Sequence, residues 1–172
     1  MSSIKTVKRE LKRFARRMKY WGMVCGYPGT TAEHTLSWLL VFSARTAAGL
    51  IREDEKHYEE MEKPVMPDEL PPLLDYGLPA QGYAVTLERK TILNLAEMDY
   101  YKSSDSSSAI DALDACDAII RGMVLEFVYA GKWKRTLGFI FTTRTGGDDT
   151  VYFVRLSDWI AFIRYCARVC VD

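Results

Sequence analysis

Eight of the first twenty residues are basic: Lys5, Lys8, Arg9, Lys12, Arg13, Arg16, Arg17 and Lys19, against Glu10 alone. Carried on one helix, these cations would meet several phosphates of a nucleic-acid backbone, each contact adding to a salt-sensitive affinity. Tyr20 and Trp21 follow directly, and Lys132, Trp133, Lys134 and Arg135 form a second basic-aromatic cluster at a strand turn. Aromatic faces beside Lys and Arg hold single-stranded or looped nucleic acid by stacking, without a base-edge code. The same cations suit an acidic protein groove. They also suit the chain itself, because residues 53–75 carry nine acids against Lys56 and Lys63 and offer an internal match. A membrane-surface role for residues 4–21, with Phe14 and Trp21 inserting, ranks below these, since one short helix anchors weakly.

Other chemistry is thinly supplied. A Ser or Cys nucleophile needs a His base, and the chain has only His34 and His57. No GxSxG or HExxH pattern occurs, and Gly146-Gly147 is followed by two acids that would repel a phosphate. Cys166 and Cys170 lie one helical turn apart, which suits an inward stripe better than a zinc site lacking its other ligands. Asp148 and Asp149, with Glu126 and Asp99, are the remaining carboxylates able to bind a divalent ion, yet Asp in a tight turn is what turn geometry selects. Asp111, Asp114 and Asp117 step by three along one face and read as solvated. They also argue against a winged-helix arrangement, because a helix bearing them would repel the backbone it had to read. No catalytic residue, metal ligand or cofactor is assigned.

Composition sets the frame for these residues. At 172 residues, with 48% hydrophobic and 27% charged side chains, the chain can bury a core without a disulfide or metal. Lys plus Arg equals Asp plus Glu at 23 each, so no overall field draws in polyanions and the segregation of charge matters more than its sum. Four scattered cysteines without a CxxC pair, and no signal peptide, point to a reducing cytoplasm. The longest apolar run, Leu36 to Phe42, falls far short of the roughly 20 residues a membrane span needs.

The elements that must position the cations are legible in the spacing. Ile4, Val7, Leu11, Phe14, Met18 and Trp21 step by three and four, a helical stripe with Lys and Arg on the other faces. That stripe would serve a dimer seam as well as a core. Thr30 and Glu33 form a capping box for a second helix toward residue 60, apolar in its first half and charged in its second, with a kink possible at Gly49. Pro64, Pro67, Pro71, Pro72 and Pro79 then exclude helix or central strand. Residues 86–102 have helical spacing. A further helix, capped by Ser107 or Ser108, runs from Ile110 to Ile120, with Gly122 just past its end.

Strands are expected over 123–129, 136–143 and 150–156, with Leu137, Phe139 and Phe141 on one face. Ser157 caps a closing helix with Trp159, Ile160, Ile163, Cys166 and Val169 or Cys170 inward. The expected fold is therefore α+β: N-terminal helices over 1–62, a proline-rich connector over 63–82, and an 83–172 half of helices on a small antiparallel three-stranded meander with a closing C-terminal helix. The expected function is a non-enzymatic nucleic-acid-binding protein acting through residues 5–21 and 132–135. The alternative is an inhibitor or adaptor that turns the same basic surface on an acidic protein.

Overall fold

The structure, a computed structural model, describes residues 4–24, 30–60, 73–84, 108–122, 124–130, 135–142 and 150–169. Within them the chain is α+β, with four helices and a five-stranded antiparallel sheet: α1 (Ile4–Met23), α2 (Thr31–Glu60), β1 (Gly77–Ala84), β2 (Ser108–Asp111), α3 (Ala112–Ile120), β3 (Val124–Ala130), β4 (Arg135–Thr142), β5 (Thr150–Arg155) and α4 (Leu156–Val169). The strand order is β2-β1-β5-β4-β3. The expected helix over 86–102 lies outside the described residues.

The capping box forms as read: the Glu33 backbone N–H donates to Thr30 Oγ1 at 3.4 Å and opens α2. That helix continues unbroken through Gly49 for 30 residues, about 45 Å at 1.5 Å per residue. It runs antiparallel to α1, Phe14 stacking on Phe42 at 6.5 Å between ring centroids. That register sets Ile4 near Arg52, so residues 53–60 run beyond the start of α1, with Glu53, Glu55, Glu59 and Glu60 exposed.

The α1 stripe is buried inside the molecule, but it is rotated from the expected one. Leu11, Ala15, Met18 and Gly22 are fully buried, whereas Val7, Phe14 and Trp21 are half-buried and Ile4 is exposed. The reason is that α1 lies between two helices, α2 on one side and α4 on the other. The small residues mark the line of closest approach: a Cβ on Gly22 would collide with the Leu156 side chain at the start of α4.

Four expectations are corrected. It has five strands, because β1 and β2 join the β3-β4-β5 meander through antiparallel β1–β5 pairing. Pro79 therefore sits within an interior strand. Pairing with β2 covers Gly77–Ala80 and pairing with β5 begins only at Gln81, so among the described residues Pro79 has a strand partner on one flank alone. Ile110 belongs to β2, and the cap of α3 is Asp111, whose carboxylate accepts from the N–H groups of Leu113 (2.8 Å) and Asp114 (3.0 Å). Ser108 is taken up in β2, which leaves Asp111 as the residue just before the helix. Leu137 leaves the face of Phe139 and Phe141: the β3–β4 register slips at this point, making Leu137 an extra residue that turns toward Val128, Ile140, Val151 and Phe153.

The main core joins α1, α2, α3 and α4 to one face of the sheet. Its centre is Trp159, wholly buried, with Phe139 edge-on at 5.8 Å. The indole Nε1–H donates to Ser43 Oγ at 3.1 Å, and that hydroxyl donates to the Leu40 carbonyl at 2.9 Å. A buried donor is thus satisfied from α2 and pins the helix layer to α4. Among the described residues no helix is long and apolar enough to cross a membrane.

Candidate nucleic-acid interface

Helix geometry sorts the α1 cations into two unequal groups. Lys5, Lys8, Arg9, Lys12, Arg16 and Lys19, spaced 3, 1, 3, 4 and 3 apart, fall on the flank toward α4. Arg13 and Arg17 fall on the flank toward α2, where Glu10 approaches Arg13 at 3.8 Å. All eight are exposed except Lys8, which is half-buried.

On the α4 side the helices enclose an open groove of about 680 Å³ lined by Lys12, Arg16, Ala161, Arg164 and Arg168. It continues into a shallower concavity of about 340 Å³ lined by Lys5, Lys8, Arg9, Lys12 and Arg16. Lys12 and Arg16 belong to both, so seven cations border one continuous surface, and among the described residues no carboxylate lines it. Ala161 keeps the floor low. The Arg168 guanidinium lies 6.0 Å from the centroid of the Tyr165 ring, which in turn packs 4.8 Å from Tyr76. Burial pushes the Tyr76 hydroxyl above its ordinary range, with Cys166 adding to the shift and Arg168 opposing it. Arg16 bonds back to the Lys12 carbonyl through Nε at 3.4 Å, leaving its terminal amines outward.

This arrangement works against folding. Lys5–Arg9, Lys8–Lys12, Arg9–Arg13, Lys12–Arg16, Arg13–Arg17 and Arg164–Arg168 are like-charged pairs four residues apart on their helices. At roughly 0.2–0.5 kcal/mol each they cost about 1–3 kcal/mol together. The acidic segment offered as their internal match is described only in part, Glu62, Asp68 and Glu69 lying outside the described residues. Within the described part, Glu53, Glu55, Glu59 and Glu60 form no ion pair with α1, Lys56 holds Glu60 at 3.6 Å, and Arg52 holds Asp117 at 2.6 Å. A polyanion entering the groove would relieve the repulsion.

Arg164 and Arg168 were not expected from the sequence. They are separated from α1 by some 140 positions, and in isolation an i, i+4 Arg pair on an amphipathic helix is an ordinary solvated face. Tyr20 is exposed beside the cations, its ring edge-on to Trp21 at 5.4 Å. Arg135 is exposed at the start of β4, and Lys132, Trp133 and Lys134 lie outside the described residues.

The other candidate chemistries disperse. His34 and His57 are both exposed on α2. The aspartate ladder is engaged instead of merely solvated, since Asp111 caps α3 and Asp117 pairs with Arg52. Cys116 and Cys166 are buried, and burial, then Cys166, hold the Cys116 thiol well above its usual range. Cys170, Asp99, Asp148 and Asp149 lie outside the described residues. Glu126 meets Glu33 and Ser37 around a concavity of about 240 Å³, but the Ser37 hydroxyl is spent on the Glu33 carbonyl at 3.0 Å. Among the described residues no three His, Cys, Asp or Glu side chains converge as a metal site. No family model matches the chain, and no curated protein or solved structure is detectably similar to it.

Proposed function

We propose that this protein binds nucleic acid without transforming it, gripping the sugar-phosphate backbone along α1 and α4. The observation that carries this reading is the groove in which Lys12 and Arg16, from the start of the chain, converge with Arg164 and Arg168, from its end. Guanidinium groups are suited to bidentate contact with phosphate oxygens, and an open, elongated groove accepts a chain-like polyanion better than a compact one. Tyr20, exposed among the cations, adds a ring on which a base can lie.

The direct test is a binding titration with labelled single- and double-stranded DNA and RNA at two salt concentrations. It compares the natural chain with a Lys12→Glu, Arg16→Glu variant. Binding that weakens steeply with salt and is lost in the variant supports the reading. Absence of binding at low salt overturns it and leaves the basic helix an internal or protein-facing element, and equal binding by polyglutamate overturns it in favour of an acidic protein.

A further inference from the structure

The opposite flank of α1 carries a second groove, of about 480 Å³, between α1 and α2. Three aromatic rings cross it as a ladder. Phe14 stacks on Phe42 with 10° between ring planes, and Phe42 stacks on Trp38 at 5.6 Å and 22°. The ladder becomes more open from end to end, from a half-buried Phe14 through Phe42 at 44% exposed to Trp38 at 63%. Arg13 and Arg17 line the same groove together with Glu10, which holds Arg13 at 3.8 Å and leaves Arg17 as its cation without a described acidic partner. Arg45 stands one turn past Phe42 on the exposed face of α2.

Folding does not require this arrangement. Trp38 forgoes most, and Phe42 nearly half, of the burial their rings would gain in a core, and the stacking uses one face of the indole. What rings bounded by arginines do recognise is a planar, electron-rich ligand carrying negative charge. Resting on the reading above, we infer that this ladder is a stacking platform for unpaired bases, making the preferred ligand a single strand. Its phosphates cross α1 from the Lys12–Arg168 groove past Arg13 and Arg17, and a base lies on the free face of Trp38. A duplex, with its bases already stacked, engages only the phosphate groove.

The test uses Trp38→Ala and Trp38→Phe in the full chain, with two single-stranded probes of equal length, one natural and one made wholly of abasic sugar-phosphate. Stacking is worth about 1–3 kcal/mol per base, a fold-change of roughly 5 to 150. The natural chain is expected to prefer the base-bearing strand by such a factor. Trp38→Ala abolishes that preference without weakening the abasic strand, and Trp38→Phe restores most of it. Equal binding of the two probes by the natural chain overturns the platform while leaving the phosphate groove standing. Failure to bind either probe overturns both readings. If Trp38→Ala binds both strands as the natural chain does and instead loses a Glu-Trp repeat peptide, the groove is a protein-docking site and the proposal falls.

Discussion

Replacing Arg164 and Arg168 together with alanine isolates the half of the groove that α4 supplies. Both side chains are exposed, and among the described residues neither takes part in an ion pair. The sole described contact that is lost is the approach of Arg168 to the Tyr165 ring, worth about 0.5–1 kcal/mol at an exposed site. Relief of the Arg164–Arg168 repulsion offsets part of that, so the fold is expected to survive. For a single strand the logarithm of the affinity falls with the logarithm of salt at about −0.7 per phosphate contact. Removing two of the four cations around the groove therefore makes the slope shallower by about 1.4.

The same relation gives the loss at any one salt concentration. Two contacts at 0.15 M correspond to about 1.6 kcal/mol, or roughly 15-fold in affinity, and at 0.05 M to about 2.5 kcal/mol, or roughly 60-fold. Fluorescence anisotropy of a labelled oligonucleotide, read at four salt concentrations, measures both quantities. Lys56→Ala serves as control, because Lys56 lies at the far end of α2 and already pairs with Glu60. An unchanged slope in the double variant would refute the placement of phosphate in this groove. A loss of affinity that is the same at every salt concentration would refute the electrostatic reasoning.

Two further outcomes concern the core on which the grooves are built. Ser43→Ala removes the acceptor of the buried Trp159 Nε1–H and is expected to destabilise by about 1–3 kcal/mol. At roughly 2–4 °C per kcal/mol the thermal midpoint falls accordingly, and an unchanged midpoint would show that the indole is satisfied in another way. The Cys116 thiol, held well above its ordinary range by burial, stays protonated in the folded chain after the unfolded chain has ionised. Above pH 9 the unfolded state therefore binds fewer protons, and stability falls as pH rises. Urea unfolding at pH 8 and pH 10 is expected to show a lower midpoint at pH 10, and Cys116→Ala removes part of that difference.

By itself the sequence determined the elements whose signals are local. The capping pair Thr30 and Glu33 starts α2 where it was expected, because a cap is settled by residues three apart. The positive φ of Gly122 ends α3 for the same reason, and the cationic character of α1 was visible because its residues are consecutive. Tertiary structure decided what depends on neighbours. Pro79 enters an interior strand where, among the described residues, β2 alone pairs with it, which no local rule about proline contains. Leu137 changes face because the β3–β4 register slips beneath it.

The two grooves belong to the second class. Arg164 and Arg168 read alone as a solvated face, and Trp38 and Phe42 read alone as part of the apolar first half of α2. Their meaning changes because α1 lies between α2 and α4 and leaves an open groove along each seam. Spacing along one helix records which residues share a face, but which face is covered depends on the helices packed beside it, and those come from distant parts of the chain.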